Sequence, residues 1–201
     1  MSTWDKRFNT DEYVYGEAPN AFVKQPAHLF KRGMRVLAIA EGEGRNAVWL
    51  AEQGVNVDMW DYSQVGLDKA NRLAERRGVT LHTRLVDLAE ADWPIDTYDA
   101  IVCIYGHFPD NVKKSVLDGV KRALKPGGYF VTEVYSEAQL DYGTGGPKQK
   151  ELIYAPADFS TLMNSFKTIH FFDGTVERYE GALHNGESAV LQYIGQKASS
   201  L

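Results

Sequence analysis

The sequence predicts an α/β fold: a doubly wound, mostly parallel sheet of seven strands that ends in an antiparallel hairpin. Three observations lead to this prediction. From residue 35 onward, short apolar segments alternate with segments in which apolar residues recur at helical spacing. Gly or Asp residues close most of these segments. The last two apolar segments are joined by Asn185-Gly186, a pair typical of hairpin turns.

Each strand is interpreted from an apolar segment, and most helices from the periodic segment that follows one. The parallel strands are predicted over 35–40, 55–60, 80–86, 98–105 and 129–135. Helices are predicted over 46–53, 64–77, 111–124 and 156–166, and the hairpin strands over 168–178 and 188–196. Residues 138–150 contain Gly and Pro and are predicted to form a long loop. A chain of 201 residues suits a single domain, with 1–34 as an N-terminal segment and 35–201 as the core.

Composition argues against several classes of partner. The net charge is −5, whereas a protein that neutralises many phosphates usually carries a basic surface. No segment approaches the roughly 18 consecutive apolar residues of a membrane span, and residues 1–7 do not begin a secretion signal. Cys103 is the only cysteine, and no Cys/His cluster has the spacing of a zinc site. We therefore expect a cytoplasmic protein without a metal, whose partner is a small molecule and neither a nucleic acid nor a membrane; the sequence predicts no oligomeric state.

The candidate site lies at the carboxyl ends of the predicted strands, where sheets of this type bind ligands. Gly42 and Gly44 follow the first strand and would let the backbone turn tightly, with the amides of the next helix facing a ligand. This turn alone is weak evidence, and it is not a dinucleotide fingerprint, because Ala47 stands where a third glycine is expected. Asp61 ends the second strand, where a carboxylate can accept both hydroxyls of a ribose. Asp87 ends the third, where it can accept an adenine amino group; either aspartate could instead be a turn residue.

Together these features resemble the class I S-adenosylmethionine-dependent methyltransferases, whose fold is Rossmann-like. The resemblance rests on the series VLAIAEGEGRNA over 36–47, on Asp61-Tyr62-Ser63 and on Leu124-Lys125-Pro126-Gly127-Gly128. Within the class, the chain is most similar to the small bacterial tellurite-resistance and thiopurine-type methyltransferases. That similarity rests on Gly44-Arg45-Asn46, Tyr15-Gly16, Pro19-Asn20, His107-Phe108-Pro109 and Thr144-Gly145-Gly146-Pro147.

The resemblance implies S-adenosylmethionine as the cofactor and a role for each candidate residue. Asp61 would hold the ribose, Tyr62 would cover one face of the adenine, and Asp87 with the Leu88 backbone would read its edge. The methionine portion would be surrounded by Glu41, Gly42, Glu43 and Gly44. Tyr105 and His107 are the catalytic candidates near the transferable methyl group. The N-terminal segment would form a lid, with Tyr15 toward the cofactor, and the substrate candidates are Tyr13, Arg45, His107 and Tyr142.

The sequence departs from the class at two positions of the first strand. The class usually has an acidic residue where Ala38 stands and a glycine where Ala40 stands. We hypothesise that Glu41 takes over the work of the missing acid. The departures favour one alternative, a non-catalytic S-adenosylmethionine-binding module. A second alternative, a nucleotide-dependent oxidoreductase, is disfavoured by the missing third glycine.

The expected activity is methyl transfer to a small molecule: a thiol, a chalcogen oxyanion such as tellurite or selenite, or a small amine. A soft nucleophile needs little or no base, whereas a nitrogen or hydroxyl nucleophile would need one, such as His107. Arg45 would either attract an anionic substrate or pair with Glu41 or Glu43. The acceptor pocket is expected from residues 1–34 and from the loop around 142–147, both predicted to lack regular structure.

Overall fold

The computed structural model describes residues 2–199, which form one seven-stranded sheet in the order β3-β2-β1-β4-β5-β7-β6. The strands are β1 (Arg35–Ile39), β2 (Asn56–Asp61), β3 (His82–Leu85), β4 (Tyr98–Ile104), β5 (Leu124–Tyr135), β6 (Phe166–Glu180) and β7 (His184–Lys197). β1 to β5 are parallel, and β7 runs antiparallel to both β5 and β6. The predicted fold class is therefore confirmed. The strand order reverses at β1, so the carboxyl ends of β1, β2 and β4 meet where such sheets bind ligands.

Six α-helices accompany the sheet within the described residues. They are α1 (Thr3–Phe8), α2 (Ala21–Lys24), α3 (Arg45–Glu52), α4 (Gln64–Arg77), α5 (Asp110–Ala123) and α6 (Pro156–Leu162), with 3₁₀ turns at Ala27–Leu29, Glu137–Asp141 and Lys150–Leu152. Within residues 2–199, no helix has both the length and the apolar character that crossing a membrane requires.

The sheet is covered on both faces, and β1 shows why its sequence is continuously apolar. Leu37 and Ile39 belong to one buried cluster, whereas Val36 and Ala38 belong to the cluster on the opposite face. All four side chains are fully buried. Alternating side chains of a strand point to opposite faces, so a strand covered on both sides needs apolar residues at every position.

The hairpin turn differs from the prediction. The turn lies between Glu180 and His184, while Asn185 and Gly186 pair within the β6–β7 ladder, so the prediction of a turn at Asn185-Gly186 was wrong. Gly181 takes the left-handed conformation at φ 63°, and the neighbouring Ala182 amide donates to the Val14 carbonyl. The turn is therefore set by a contact with the N-terminal segment, which no local pattern reveals.

The two segments expected to lack regular structure are partly regular. Residues 1–34 were expected to be irregular, yet the described part contains α1, α2 and a 3₁₀ turn, and two 3₁₀ turns occur within 137–152. Ser2 begins α1 with a capping box, in which the Ser2 hydroxyl accepts the Asp5 amide and Asp5 accepts the Ser2 amide. Short helices like these depend on packing, because isolated short helices are marginal in water.

Candidate functional site

The glycine turn joins β1 to α3 at the centre of the sheet. Gly42 and Gly44 have φ values of 64° and 86°, in the left-handed region that favours glycine. A Cβ on Gly44 would lie 2.4 Å from the Cβ of Ala70, and a Cβ on Gly42 would lie 3.0 Å from the ring of Phe8. Gly44 is thus required by packing as well as by its φ, whereas Gly42 is required mainly by its φ, and α1 covers the turn through Phe8.

Glu41 turns its carboxylate toward α3. Oε1 accepts the backbone amides of Asn46 at 2.7 Å and Ala47 at 2.8 Å, so the carboxylate caps the helix. These two amides were expected to face a ligand, and that expectation is corrected because Glu41 occupies them. Burial raises the pKa of Glu41 to about 7. The hypothesis that Glu41 replaces the usual acid at the methionine end stays a prediction.

Asp61 ends β2 beside the glycine turn. Oδ2 accepts the Gly42 amide at 2.7 Å, and Oδ1 accepts the Ser63 amide at 2.9 Å. The carboxylate is nearly buried, and this burial raises its pKa. Tyr62, the next residue, is 53% exposed and free to cover a planar ligand. Asp61, which the sequence predicts to bind the ribose, therefore lies within hydrogen-bond distance of the glycine turn.

Asp87 follows β3 on the neighbouring edge. Its side chain is exposed, and Oδ1 accepts the Ala89 amide at 2.9 Å, whereas Leu88 is buried. The Val86 amide donates to the Asp61 carbonyl at 2.9 Å, which holds the two strand ends side by side. Acceptor groups for a ribose and for an adenine amino group are thus brought to one edge of the sheet.

Glu43 and Lys69 tether the N-terminal segment. They form a buried ion pair, and Lys69 Nζ also donates to the carbonyls of Phe8, Thr10 and Glu12. Glu43 Oε2 accepts the Val14 amide at 2.9 Å. We name Glu43 and Lys69 the tether pair. The class resemblance places Glu43 around the methionine portion, but the structure uses its carboxylate to hold the segment over the site.

Tyr13 and Tyr15 take different places in that segment. The Tyr13 hydroxyl donates to the Lys69 carbonyl at 2.8 Å, so Tyr13 lies on α4. Tyr15 faces the interior, where its ring centroid is 4.5 Å from that of His184 and 6.4 Å from that of Phe8. Tyr15 therefore connects the residues over the glycine turn with those at the end of β4.

An aromatic cluster lies at the carboxyl ends of β4 and β5, formed by Tyr15, Tyr105, His107, Tyr135 and His184. Tyr105 stacks on Tyr135 at 4.7 Å and meets His184 edge-on at 4.6 Å. His107 stacks against Tyr135 at 5.5 Å. The predicted catalytic pair Tyr105 and His107 is thus brought together through Tyr135, which sequence reasoning missed.

His107 is held as a neutral imidazole. Nδ1 lies 2.8 Å from the Leu152 carbonyl and donates to it, which leaves the lone pair on Nε2. The Tyr135 amide approaches Nε2 at 3.5 Å. Burial lowers the pKa of His107 to about 4. The ring is therefore uncharged near neutral pH, and its lone pair faces the main chain of β5.

His184, the first residue of β7, is the second histidine of the cluster. Its side chain is nearly buried, and burial lowers its pKa. Nδ1 lies 3.9 Å from Glu180 Oε2 and has no hydrogen-bond partner among residues 2–199. The Glu180 carboxylate favours the tautomer that carries the proton on Nδ1, which leaves the lone pair of the neutral ring on Nε2.

The loop over 142–147 covers the cluster. A Cβ on Gly145 would lie 2.9 Å from the Tyr135 hydroxyl and 3.2 Å from His184 Cδ2, and a Cβ on Gly146 would meet the Tyr135 ring at 2.8 Å. These glycines permit a close backbone approach that any side chain would block. Tyr142 begins the loop and is partly buried.

Beneath the aromatic cluster lies a buried polar network. Its members are Asn20, Arg45, Glu133, Arg178, Glu180 and Gln192. Arg45 pairs with Glu180 at 2.7 Å, so its partner is neither Glu41 nor Glu43. Arg178 binds Glu133 through two nitrogens. Each guanidinium is therefore neutralised by a carboxylate, and Arg45 is not free to attract an anion.

Sequence reasoning missed most of this network. A glutamate inside the apolar series FVTEVY of β5 was the available signal, because a charge is rarely buried without a partner. Its partner Arg178 lies 45 residues away on β6. Identifying that partner requires the strand order, in which β7 lies between β5 and β6.

Comparisons with known proteins agree with this geometry. Residues 36–128 match a family described as a methyltransferase domain. A sterol 24-C-methyltransferase of Gibberella zeae is 24% identical over an alignment of 153 residues, which covers 69% of this chain and 40% of that protein. The tRNA 5-carboxymethoxyuridine methyltransferase of Escherichia coli K12 is 28% identical over an alignment of 146 residues, which covers 65% of this chain and 55% of that protein.

The fold is that of the class I S-adenosylmethionine-dependent methyltransferases, and residues 36–128 form a methyltransferase domain. Together the fold and the family match imply S-adenosylmethionine as the cofactor. The donor set fits that cofactor, because Asp61 and Asp87 offer acceptors to hydroxyl and amino groups.

Within that class, the chain is similar to the probable S-adenosyl-L-methionine-dependent methyltransferase TehB of Haemophilus influenzae, at 28% identity over 97 residues, 47% of this chain and 34% of that protein. The crystal structure of that TehB superposes with a TM-score of 0.73 at 18% identity, covering 96% of this chain and 65% of that one. The chain spans about half or less of the curated relatives named above.

Proposed function

We propose that this protein transfers the methyl group of S-adenosylmethionine to a small acceptor that binds against the aromatic cluster. The observation that carries the proposal is the position of that cluster at the end of β4, one strand from the glycine turn after β1 and two strands from Asp61 on β2. Tyr15 and the glycines of the 142–147 loop border it. Enclosure of this kind supports a small acceptor rather than a macromolecule.

The cofactor, when bound, supplies a methyl group already activated by the positive charge on sulfur. The protein's work is then to align the acceptor with the methyl carbon and to exclude water. Tyr15 and Phe8 would keep water out from the N-terminal side, and Tyr105, which stacks on the fully buried Tyr135, would form the floor. A thiol or amine acceptor would give up a proton in the transfer, and a base of this chain would have to receive it.

His184 is the proposed base. Its ring is neutral, and with the Nδ1 proton directed at Glu180 its Nε2 lone pair suits the acceptance of one proton near neutral pH. His107 is less suited to that role, because its Nε2 lone pair faces the Tyr135 amide. We propose His107 as a support for the Tyr135 ring.

The charges around the cluster favour a neutral acceptor. Arg45 and Arg178 are each paired with a buried carboxylate, so they offer little excess positive charge to an oxyanion. A thiol is therefore the preferred acceptor class, ahead of an unprotonated amine, and tellurite or selenite comes last. Methyl transfer to a thiol also makes the lowest demand on the base.

A second candidate function is a binding module without turnover. It is supported by Ala38, which stands where the class usually has an acid, and by the commitment of Glu41 to α3. Such a module would bind S-adenosylmethionine and leave every acceptor unmethylated.

The deciding experiment measures S-adenosylhomocysteine formation from labelled S-adenosylmethionine with thiols, small amines, selenite, tellurite and unmodified tRNA. We expect turnover with a thiol, and His184→Phe should reduce it only about tenfold near neutral pH, because the variant keeps an aromatic ring but has no base, and a thiol is partly ionised without one. The matched variant His28→Phe replaces a histidine outside the site and should have no effect. Cofactor binding without turnover of any acceptor would establish the module, and turnover only of tRNA would overturn the small-molecule assignment.

A further inference from the structure

We propose that Glu133 is a positioning residue for methyl transfer, which fixes the phenol of Tyr105 and joins it to Asn20 of the N-terminal segment. The inference rests on the proposed function, in which Tyr105 forms part of the acceptor pocket. Glu133 lies in β5 and is fully buried. Its ladder partner is Ile104, the last residue of β4, so the carboxylate lies beside the strand end that carries Tyr105.

Five hydrogen bonds converge on the Glu133 carboxylate. Oε1 accepts from the Tyr105 hydroxyl at 2.6 Å, from Asn20 Nδ2 at 3.0 Å and from Arg178 Nε at 2.9 Å. Oε2 accepts from Arg178 and from Gln192 Nε2. Neutralising Arg178 would need only the guanidinium bonds. The bonds to Tyr105 and Asn20 indicate a role beyond charge balance.

Tyr105 needs such a partner because its backbone is strained. Its φ is 55°, a region that a bulky residue occupies only when its surroundings hold it there. The amide of Tyr105 donates to the Glu133 carbonyl at 2.8 Å, so main chain and side chain bind the same residue. Burial and the negative charge of Glu133 raise the pKa of Tyr105 well above its usual value. The phenol therefore stays protonated and donates a hydrogen bond to the carboxylate. The direction of the phenol therefore follows the position of Glu133.

Asn20 links the same carboxylate to the lid. Its Oδ1 accepts the amides of Phe22 and Val23 and thereby caps α2. Its Nδ2 donates to both Glu133 and Glu180. Asn20 of the N-terminal segment and Tyr105 thus donate to the same carboxylate oxygen. A change in the position of the Glu133 carboxylate should therefore alter both hydrogen bonds.

Two substitutions separate position from charge. Glu133→Asp keeps the charge for Arg178, whose long side chain can follow, but withdraws the carboxylate from Tyr105 by about 1.5 Å. Glu133→Gln removes the charge but keeps an acceptor oxygen in place for Tyr105. A positioning role predicts that the aspartate variant lowers kcat about tenfold and more than the glutamine variant does. The reverse order would show that Glu133 only balances Arg178 and would overturn the proposal.

The double variants test whether the effect passes through Tyr105. In the background of Tyr105→Phe, which lacks the hydroxyl, Glu133→Asp should change kcat less than about twofold. An equal loss in both backgrounds would contradict the inference. Thr132→Val is the matched control. Thr132 lies next to Glu133 on β5, and the substitution removes a buried hydrogen bond to the Cys103 carbonyl on β4 without touching the network.

A readout independent of turnover is hydrogen exchange at the Phe22 and Val23 amides. Glu133→Asp should accelerate their exchange about threefold, as expected for one weakened hydrogen bond, and Thr132→Val should not. Unchanged exchange would refute the link to Asn20. A wild-type protein that methylates no acceptor would count against the proposed function, and the exchange result would still decide whether Glu133 holds Asn20 and the start of α2.

Discussion

Asp61 is the residue that we expect to contribute most to cofactor binding. Asp61→Ala should weaken S-adenosylmethionine binding about 10- to 100-fold, because a carboxylate that accepts ribose hydroxyls makes charge-assisted hydrogen bonds. Isothermal calorimetry measures the affinity. Asp58 on the same strand provides the control, since it pairs with Arg35 and Tyr98 instead. Asp58→Asn should leave the affinity unchanged, and equal losses in both variants would remove Asp61 from the site.

Glu41 should give the stability of the protein a characteristic pH dependence. Its pKa in the folded state is about 7, raised by burial above the ordinary value of 4.5. The folded protein therefore binds more protons than the unfolded chain between these pH values, and its stability falls as the pH rises through that window. Relative to Glu41→Gln, the wild type should lose unfolding free energy between pH 5 and 8, at up to about 1.4 kcal/mol per pH unit. Denaturant titrations at several pH values measure this difference, and a constant difference would contradict the raised pKa.

At the scale of residues, the sequence predicted those site residues that directly follow or end a recognisable strand. Gly42, Gly44 and Asp61 could be found because each follows a strand whose apolar pattern is visible. The partner of Arg45 could not be found, since Glu180 lies 135 residues away. The orientation of Glu41 could not be predicted from the sequence either, because its carboxylate is oriented by the amides at the start of α3.

At the scale of elements, the N-terminal segment depends on the tether pair. Lys69→Met should reduce the unfolding free energy by about 3–5 kcal/mol, because it leaves the buried Glu43 carboxylate unpaired. It should also expose residues 8–14 to limited proteolysis, since three carbonyls of that segment lose their donor. Adding Glu43→Gln should recover part of the loss.

The control for this prediction lies on the same helix. Arg76 pairs with Glu17 on the surface, where both side chains are well exposed. Arg76→Met should therefore cost less than about 1 kcal/mol. Similar losses in the Lys69 and Arg76 variants, measured by denaturant unfolding, would show that the tether pair contributes no more than a surface ion pair.

Elements were predicted well where their ends are marked in the sequence. α4 spans Gln64–Arg77 as predicted, because the Ser63 hydroxyl caps its start and Gly78 ends it at φ 69°. The hairpin was placed wrongly because its turn is fixed by Val14, far away in sequence. β5 begins at Leu124 rather than 129, since Leu124 pairs with Tyr98 ahead of the Gly127-Gly128 irregularity.

At the scale of the whole molecule, cofactor binding should raise thermal stability. A ligand present at about 100 times its dissociation constant stabilises the folded state by about 2.7 kcal/mol. For a domain of this size, that corresponds to an increase in Tm of about 5–10 °C. Thermal-shift measurements should show the increase with S-adenosylmethionine and with S-adenosylhomocysteine but not with NAD. A shift with NAD alone would favour the oxidoreductase that the missing third glycine argues against.

The arrangement of the whole sheet could be predicted because alternating strands and helices permit few topologies. The acceptor side of the site could not be predicted in the same way. It is assembled from β4, β5 and the β6–β7 hairpin together with the N-terminal segment, and His184 and Glu133 acquire their neighbours only when those parts meet.

The contact between Asn20 and Glu180 spans 160 residues, and it has a consequence for the order in which the protein can be made. Translation releases the chain from its N-terminus, so Asp61 and the first five strands leave the ribosome before Arg178, Glu180 and His184 exist. Until then Arg45 has no ion-pair partner and Tyr15 has no imidazole to pack against. We expect the cofactor side of a ribosome-bound chain to form first, and the acceptor side to form only after β6 and β7 have emerged.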